Sequence, residues 1–310
     1  MRRLVAEVRL SVDDLVAPLF VRDDLDGPVP IDSMPGQFQH SYTSLVTEAA
    51  YLRSLGIPAL MLFGIATSKD SVGSQASDPD GVVQIALGEL RSSVGESMVL
   101  ISDLCLDEYT DHGHCGVLDE RGRVDNDVTL ERYKQVAVAQ ARAGADIVAP
   151  SGMMDGQVGA VRNALDGAGF SDVAILSYSA KYASALYGPF RDAVNVDIAN
   201  GGSRTTYQQD WRNKREALEE VSLDVSEGAD MVMVKPAVTS LDVIADVRRL
   251  VNVPVGAYSV SGEYSMIKAA SERGWIDGSV TALELATVVK RAGADFMVTY
   301  FAKELAEMMN

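Results

Sequence analysis

The stretch GADMVMVKPAV, residues 228–238, runs from a glycine through an unbroken set of apolar residues into Lys235 and Pro236. Continuous hydrophobicity, as opposed to alternation, is the mark of a strand buried on both faces, as in a parallel sheet covered by helices. A lysine at the end of such a strand delivers its amine to whatever the strand points at. The triplet Gly-Ala-Asp recurs at 144–146 and 293–295, each time between a helical pattern and an apolar run. Glycine suits the left-handed residue that ends a helix, so the triplet reads as a recurring helix-to-strand junction. The copies are unequally spaced, which makes them one local solution used three times and not a sequence repeat.

Working outward, apolar runs of the same kind lie at 17–21, 59–64, 98–106, 146–151, 173–179, 231–236, 255–262 and 296–302. Helical patterns fall near 43–55, 81–93, 129–143, 155–167, 212–227, 239–250, 263–273 and 281–292. Eight strand-helix units in a chain of this length point to an α/β fold of the TIM (β/α)8 barrel type. A doubly wound open sheet is the alternative, but no G-x-G-x-x-G follows the first strand. No linker divides the chain. It reads as one domain over 1–310, with a short N-terminal arm at 1–15 and two long strand-to-helix connections, 65–80 and 180–211. Long connections in compact domains tend to be lids or binding segments, and 180–211 is expected to be the active-site lid.

Composition narrows the function. The chain has 310 residues, is 47% hydrophobic and carries a formal net charge of −17. That core is ample for a globular fold, and the charge argues against nucleic acid or an anionic membrane as partner. The first fifteen residues are broken by charge every few positions, and no run approaches a membrane span, so a cytoplasmic protein acting on a small molecule is expected. With only Cys105 and Cys115 available, a disulfide is the less expected use of either.

In a barrel, the C-terminal strand ends converge on one mouth. Here they bring Asp103 with Cys105, Ser151, Tyr178 with Lys181, Lys235, Tyr258 with Ser261, and Tyr300. Lys235 alone could be a strand-end lysine reaching to solvent, and Lys181 a loop lysine. Two ammonium groups in one partly desolvated mouth depress each other's pKa, so that one becomes a free amine able to attack a carbonyl. Cys105, Asp107 and Cys115 form C-x-D-x7-C; they are either small residues of a solvated flap or two thiolates and a carboxylate around a divalent ion. His112 and His114 are weaker candidates beside them. Arg191 and Arg204, flanked by aromatics in the long loop, suit either a solvated surface or a guanidinium clamp on a carboxylate.

The segments SDLCLDEYTDHGHCG, APSGMMDGQVGAVRNAL, SYSAKYASALYGPFRDA, YQQD, GADMVMVKPA and AYSVSGEYSMIKAA together resemble the porphobilinogen synthase (5-aminolevulinate dehydratase) family, from about residue 3 to the C-terminus. The resemblance implies a TIM barrel that condenses two molecules of 5-aminolevulinate into porphobilinogen, with loss of two waters, for tetrapyrrole biosynthesis. By the same resemblance, Lys235 forms a Schiff base with one substrate and Lys181 with the other, and Asp103 is the acid beside the reacting centre. Ser261 and Tyr300 hold one substrate carboxylate, and Arg191, Arg204 and Gln208 hold the second from the lid. Cys105, Asp107 and Cys115 match a zinc flap in which three cysteines are usual, and Glu220 falls where bacterial members bind an allosteric magnesium. The family's N-terminal arm, which wraps a neighbouring subunit in an octamer, is nearly absent here; a homo-oligomer is expected and its size is open. VNVDIANGGSRTTYQQD is longer than the usual lid, and KPAVTSLD replaces a Gly-Pro-Tyr stretch. A Schiff-base aldolase on the same barrel would need one lysine and no flap, and a non-catalytic binding relative would be expected to lack one of the lysines.

Overall fold

The computed structural model describes residues 1–198 and 202–310, so residues 199–201 of the expected lid lie outside the description. The barrel is formed by β1 (Leu15–Arg22), β4 (Ala59–Ile65), β5 (Val99–Leu104), β6 (Ile147–Pro150), β7 (Ala174–Lys181), β8 (Met231–Lys235), β9 (Val255–Ser259) and β10 (Phe296–Thr299). Each pairs in parallel with the next, and β10 closes on β1 through Leu15↔Met297 and Val16↔Val298. These strands are buried nearly end to end, which is why their sequences do not alternate. Helices α1 (Tyr42–Ser54), α2 (Val82–Val94), α3 (Asn126–Ala143), α4 (Gln157–Gly167), α6 (Lys214–Glu227), α7 (Leu241–Leu250) and α8 (Ser261–Glu272) supply the crossovers, and α9 (Gly278–Ala292) leads into β10. Helix α9 shows how the sequence sets such an element. The Asp277 side chain accepts the Val280 N–H at its start, Lys290 and Arg291 occupy its last turn, and Gly293 ends it.

The three Gly-Ala-Asp junctions are built alike. Gly144, Gly228 and Gly293 have φ of 108°, 108° and 127°, the region where a side chain is strained. In each, the aspartate exchanges two hydrogen bonds with the neighbouring strand. Asp146 N–H donates to Leu100 O (3.0 Å) while Asp146 Oδ2 accepts Leu100 N–H (2.8 Å). Asp230 does the same with Ile175 and Asp295 with Val255. An arginine from a preceding helix pairs with each carboxylate: Arg91 with Asp146 at 2.6 Å, Arg162 with Asp230 at 3.9 Å and Arg248 with Asp295 at 3.0 Å. The triplet is therefore a latch at the N-terminal end of the barrel, in which the aspartate does as much as the glycine.

Several boundaries differ from the sequence reading. Leu15 is fully buried in β1, so the arm ends at Asp14. The run 173–179 extends to Lys181, which places that lysine in the strand. Conversely, 255–262 stops at Ser259 and Ser261 opens α8, because Glu263 accepts the Val260 N–H through Oε2 and turns the chain there. The run 296–302 likewise ends at Thr299 before α10 (Ala302–Met309). The short strands β2 (Val29–Pro30) and β3 (Phe38–His40) and the short helix α5 (Gly188–Ala193), inside the expected lid, are too brief to show a periodicity.

Candidate active site

Lys181 and Lys235 end adjacent strands and are direct partners in the parallel β7–β8 ladder. A register shift brings this about. Ser177 pairs with Val232 and Ala180 with Val234, so β7 spends three steps where β8 takes two. Side chains alternate between faces at every residue, so without the extra residue the two lysines would be out of register and point to opposite sides of the sheet. With it, both enter the mouth, where Lys181 is 5% and Lys235 6% exposed.

Their surroundings differ. Lys235 Nζ lies over four rings, 4.4 Å from the centroid of Tyr258, 5.0 Å from Tyr187, 5.2 Å from Tyr178 and 5.3 Å from Phe190. Tyr187 and Phe190 belong to the lid segment, so the lid covers the amine. The rings attract an ammonium, but burial and then the charge of Lys181 outweigh them, and the Lys235 pKa falls to about 7. Desolvation is thus the larger cause and the second lysine the lesser, the reverse of the emphasis the sequence suggests. Lys181 Nζ donates to Ser151 O at 2.5 Å. Burial acts against its charge too, yet Cys115, Cys105, Asp107 and Asp103 more than compensate, and its pKa rises. One amine is poised to be neutral and its neighbour is held cationic.

Asp103, at the end of β5, accepts a hydrogen bond from Ser151 Oγ at 3.1 Å. Burial pushes its pKa to about 6 against the pull of both lysines. Tyr300 OH lies 3.0 Å from Tyr258 OH, within the ring cluster around Lys235. Ser261 is turned to the lid: its Oγ accepts the Phe190 N–H (2.9 Å) and donates to Leu186 O (3.2 Å). Arg191, part-exposed on α5, lines a cavity of about 700 Å³ with Arg204, Gln208 and Tyr187.

The flap brings Cys105, Asp107 and Cys115 together, all buried, with one ligand atom from each within 4.8 Å of the others. Cys115 Sγ is 3.7 Å from Asp107 Oδ1. Two sulfurs and a carboxylate at that spacing fit a divalent ion, so this group could hold a metal. The expected clamp residue Arg204 departs from its assigned place: its guanidinium is paired with Asp107 Oδ2 at 2.7 Å. Burial opposes ionisation of Asp107, but Arg204 and Lys181 hold it below the usual carboxylate range. His114 and His112 stay at the edge, with His114 Nδ1 3.1 Å from Tyr207 OH. Glu220, on α6, lines a cavity of about 1050 Å³ with Asp155, Glu216, His114 and Gln208. Burial, with Asp224 and Asp155 nearby, raises its pKa to about 7.

A model of the delta-aminolevulinic acid dehydratase family matches residues 1–308. The chain belongs to the delta-aminolevulinic acid dehydratase family. It is 55% identical to the delta-aminolevulinic acid dehydratase of Streptomyces coelicolor over 311 residues, covering all of this chain and 94% of that protein. The Mycobacterium tuberculosis H37Rv dehydratase is also 55% identical, over 99% of this chain and 93% of its own length. The Toxoplasma gondii ME49 dehydratase, solved with the reaction product porphobilinogen, superposes with a TM-score of 0.97 at 45% identity, over 99% of this chain and 88% of that one.

Two residues of this dehydratase-family site, Ser151 at a strand end and Glu263, take tasks that the sequence does not assign. Ser151 joins Asp103 to Lys181 through its hydroxyl and its carbonyl. Glu263 accepts N–H groups of Val238 (2.8 Å) and Val260 (2.8 Å), tying the chain beyond Lys235 to the chain before Ser261. A glutamate three residues after the residue that caps a helix start, here Val260, is the pattern that points to it. Among the described residues no helix is long and apolar enough to cross a membrane.

Proposed function

We propose that the protein is a porphobilinogen synthase, a hydro-lyase that condenses two molecules of 5-aminolevulinate into porphobilinogen with loss of two waters. The observation that carries this reading is the pair of buried, laddered lysines with opposite protonation. Lys235, with a pKa of about 7, attacks the ketone of the first substrate as a neutral amine. A C–N bond forms as one amine proton passes to the oxygen, and a second proton taken up from solvent lets that oxygen leave as water and gives a protonated imine. Asp103, ionised above about pH 6, is placed to take and return a proton beside that carbon. Lys181 is assigned to the second substrate, and its charge also keeps Lys235 neutral. Ser261 and Tyr300 are assigned to one carboxylate, Arg191, Arg204 and Gln208 to the other. With both lysines covered, substrate entry requires the lid segment to lift, which frees Ser261 Oγ from Phe190 and Leu186.

Zinc is the ion proposed for Cys105, Asp107 and Cys115, because two sulfur donors favour it over magnesium. When bound it would supply Lewis-acid polarisation of a substrate oxygen. Magnesium is assigned to Glu220 on α6, with a stimulatory role. A cytoplasmic location is assigned with this function, and a homo-oligomer fits the arm, where Leu4 and Val5 are 85% and 71% exposed and available to a second copy. A Schiff-base aldolase is the less favoured reading, since it leaves the second lysine and the flap without a task. The experiment is to incubate purified protein with 5-aminolevulinate and assay for a pyrrole. Pyrrole formation lost in chelator, restored by zinc and not restored in Cys115→Ala supports the whole reading; no pyrrole under any metal condition overturns it.

A further inference from the structure

The flap and the lid are joined at one point. Arg204 of the lid contacts Asp107 at 2.7 Å and donates to Gly113 O at 2.9 Å. Tyr207 OH accepts the Cys115 N–H at 3.3 Å. Gly113 has φ of 71°, and a Cβ there would lie 2.4 Å from the carbonyl oxygen of Asp197, so the lid backbone rests directly on the flap. The Arg204 side chain is only 10% exposed, yet among the described residues its Nε has no hydrogen-bond partner, and neither does Gln208 Nε2 one turn on. The arginine assigned to the substrate thus neutralises the carboxylate assigned to the metal, and leaves part of its own donor set unused.

Resting on the proposed zinc site, we infer that Arg204 is a built-in cationic occupant of Asp107 that a metal ion must displace. Asp107 shows one oxygen to Cys115 and the other to the guanidinium. A divalent ion bound by Cys105, Asp107 and Cys115 would sit beside a fixed positive charge in a water-poor site, where like charges repel strongly. Guanidinium and ion therefore compete for one carboxylate. Filling the site releases Arg204, which then turns its donors, with those of Gln208, to the substrate carboxylate. By linkage the coupling is reciprocal: a lid held closed through Arg204 weakens the metal site.

The test needs no turnover. Metal-free wild type, Arg204→Gln and Arg204→Lys are titrated with zinc against a chromophoric chelator without substrate. Arg204→Gln is expected to bind zinc roughly tenfold tighter than wild type, within the usual range of such couplings, and Arg204→Lys, which keeps the charge, about as wild type. Equal or weaker binding by Arg204→Gln overturns the inference while leaving the metal site standing. No zinc uptake by any of the three overturns both the inference and the metal site, and pyrrole formation by the wild type would then show separately whether the lysine chemistry survives. If Arg204→Gln does not fold, hydrogen exchange in wild type decides: zinc should speed exchange across residues 202–210, and unchanged exchange overturns the inference.

Discussion

At the N-terminal end of the barrel three Gly-Ala-Asp junctions repeat the same contacts, whereas at the C-terminal end the strands finish in different groups, two of them in lysines whose surroundings differ. The first end is made of local, satisfied groups: each aspartate is matched with a backbone N–H and an arginine. The second end collects groups that oppose each other. Two lysines lie side by side, a carboxylate is held at about 6, and an arginine has a donor without a partner among the described residues. Repetition at one end gives stability, and conflict at the other is what makes reactive groups. Changes at the two ends should accordingly separate stability from activity.

The largest effect is expected at the mouth. Lys235→Ala should lower pyrrole formation by more than about a thousandfold, as loss of a covalent nucleophile does, with little change in Tm. Steady-state rates and a thermal melt on the same sample check both halves; a retained rate, or a collapsed Tm, would erase the distinction between the ends. Next comes Arg191→Ala. The lost charge-assisted contact to substrate, about 1.5–3 kcal/mol, should lower kcat/KM by roughly ten- to a hundredfold with the melt unmoved. Arg204 is not equivalent to it: Arg204→Ala leaves a buried Asp107 unpaired, so it should lose stability as well as activity.

A pH profile sharpens the comparison further. The reactive form of Lys235 is the neutral amine, so the fraction able to attack grows as pH rises through its value of about 7. The kcat/KM profile should climb through that range. Asp103, at about 6, is already mostly ionised there and does not reverse the limb. Lys181→Met removes a neighbouring charge and should move the limb to higher pH, and an unmoved limb would leave burial alone as the cause. The smallest effect is expected at the repeated end. Asp295→Ala or Gly228→Ala should cost about 1–2 kcal/mol of stability, a few degrees in Tm, with kcat unchanged.

The two ends also differ in how far the sequence reveals them. The eight barrel strands and the glycine junctions follow from hydrophobic continuity and punctuation, because those depend on local chemistry. Lys235 was legible for the same reason, standing at the end of an apolar run. The bulge in β7 that turns Lys181 toward its neighbour leaves no trace in composition, since any residue can be the extra one. Nor does the sequence show that Arg204 meets Asp107, because 97 positions separate them and the contact depends on how lid and flap fold together. The aspartate of each junction is equally plain in the sequence, but its task, bonding a strand distant in sequence, is not.

The central claim is that Lys235 is the amine that bonds substrate. Borohydride reduction of the protein with 5-aminolevulinate, followed by digestion and mass spectrometry, tests it directly. The account predicts a reduced substrate adduct on the peptide carrying Lys235, still formed there in Lys181→Met. An adduct confined to Lys181, or none on either lysine in protein that makes pyrrole, would contradict it.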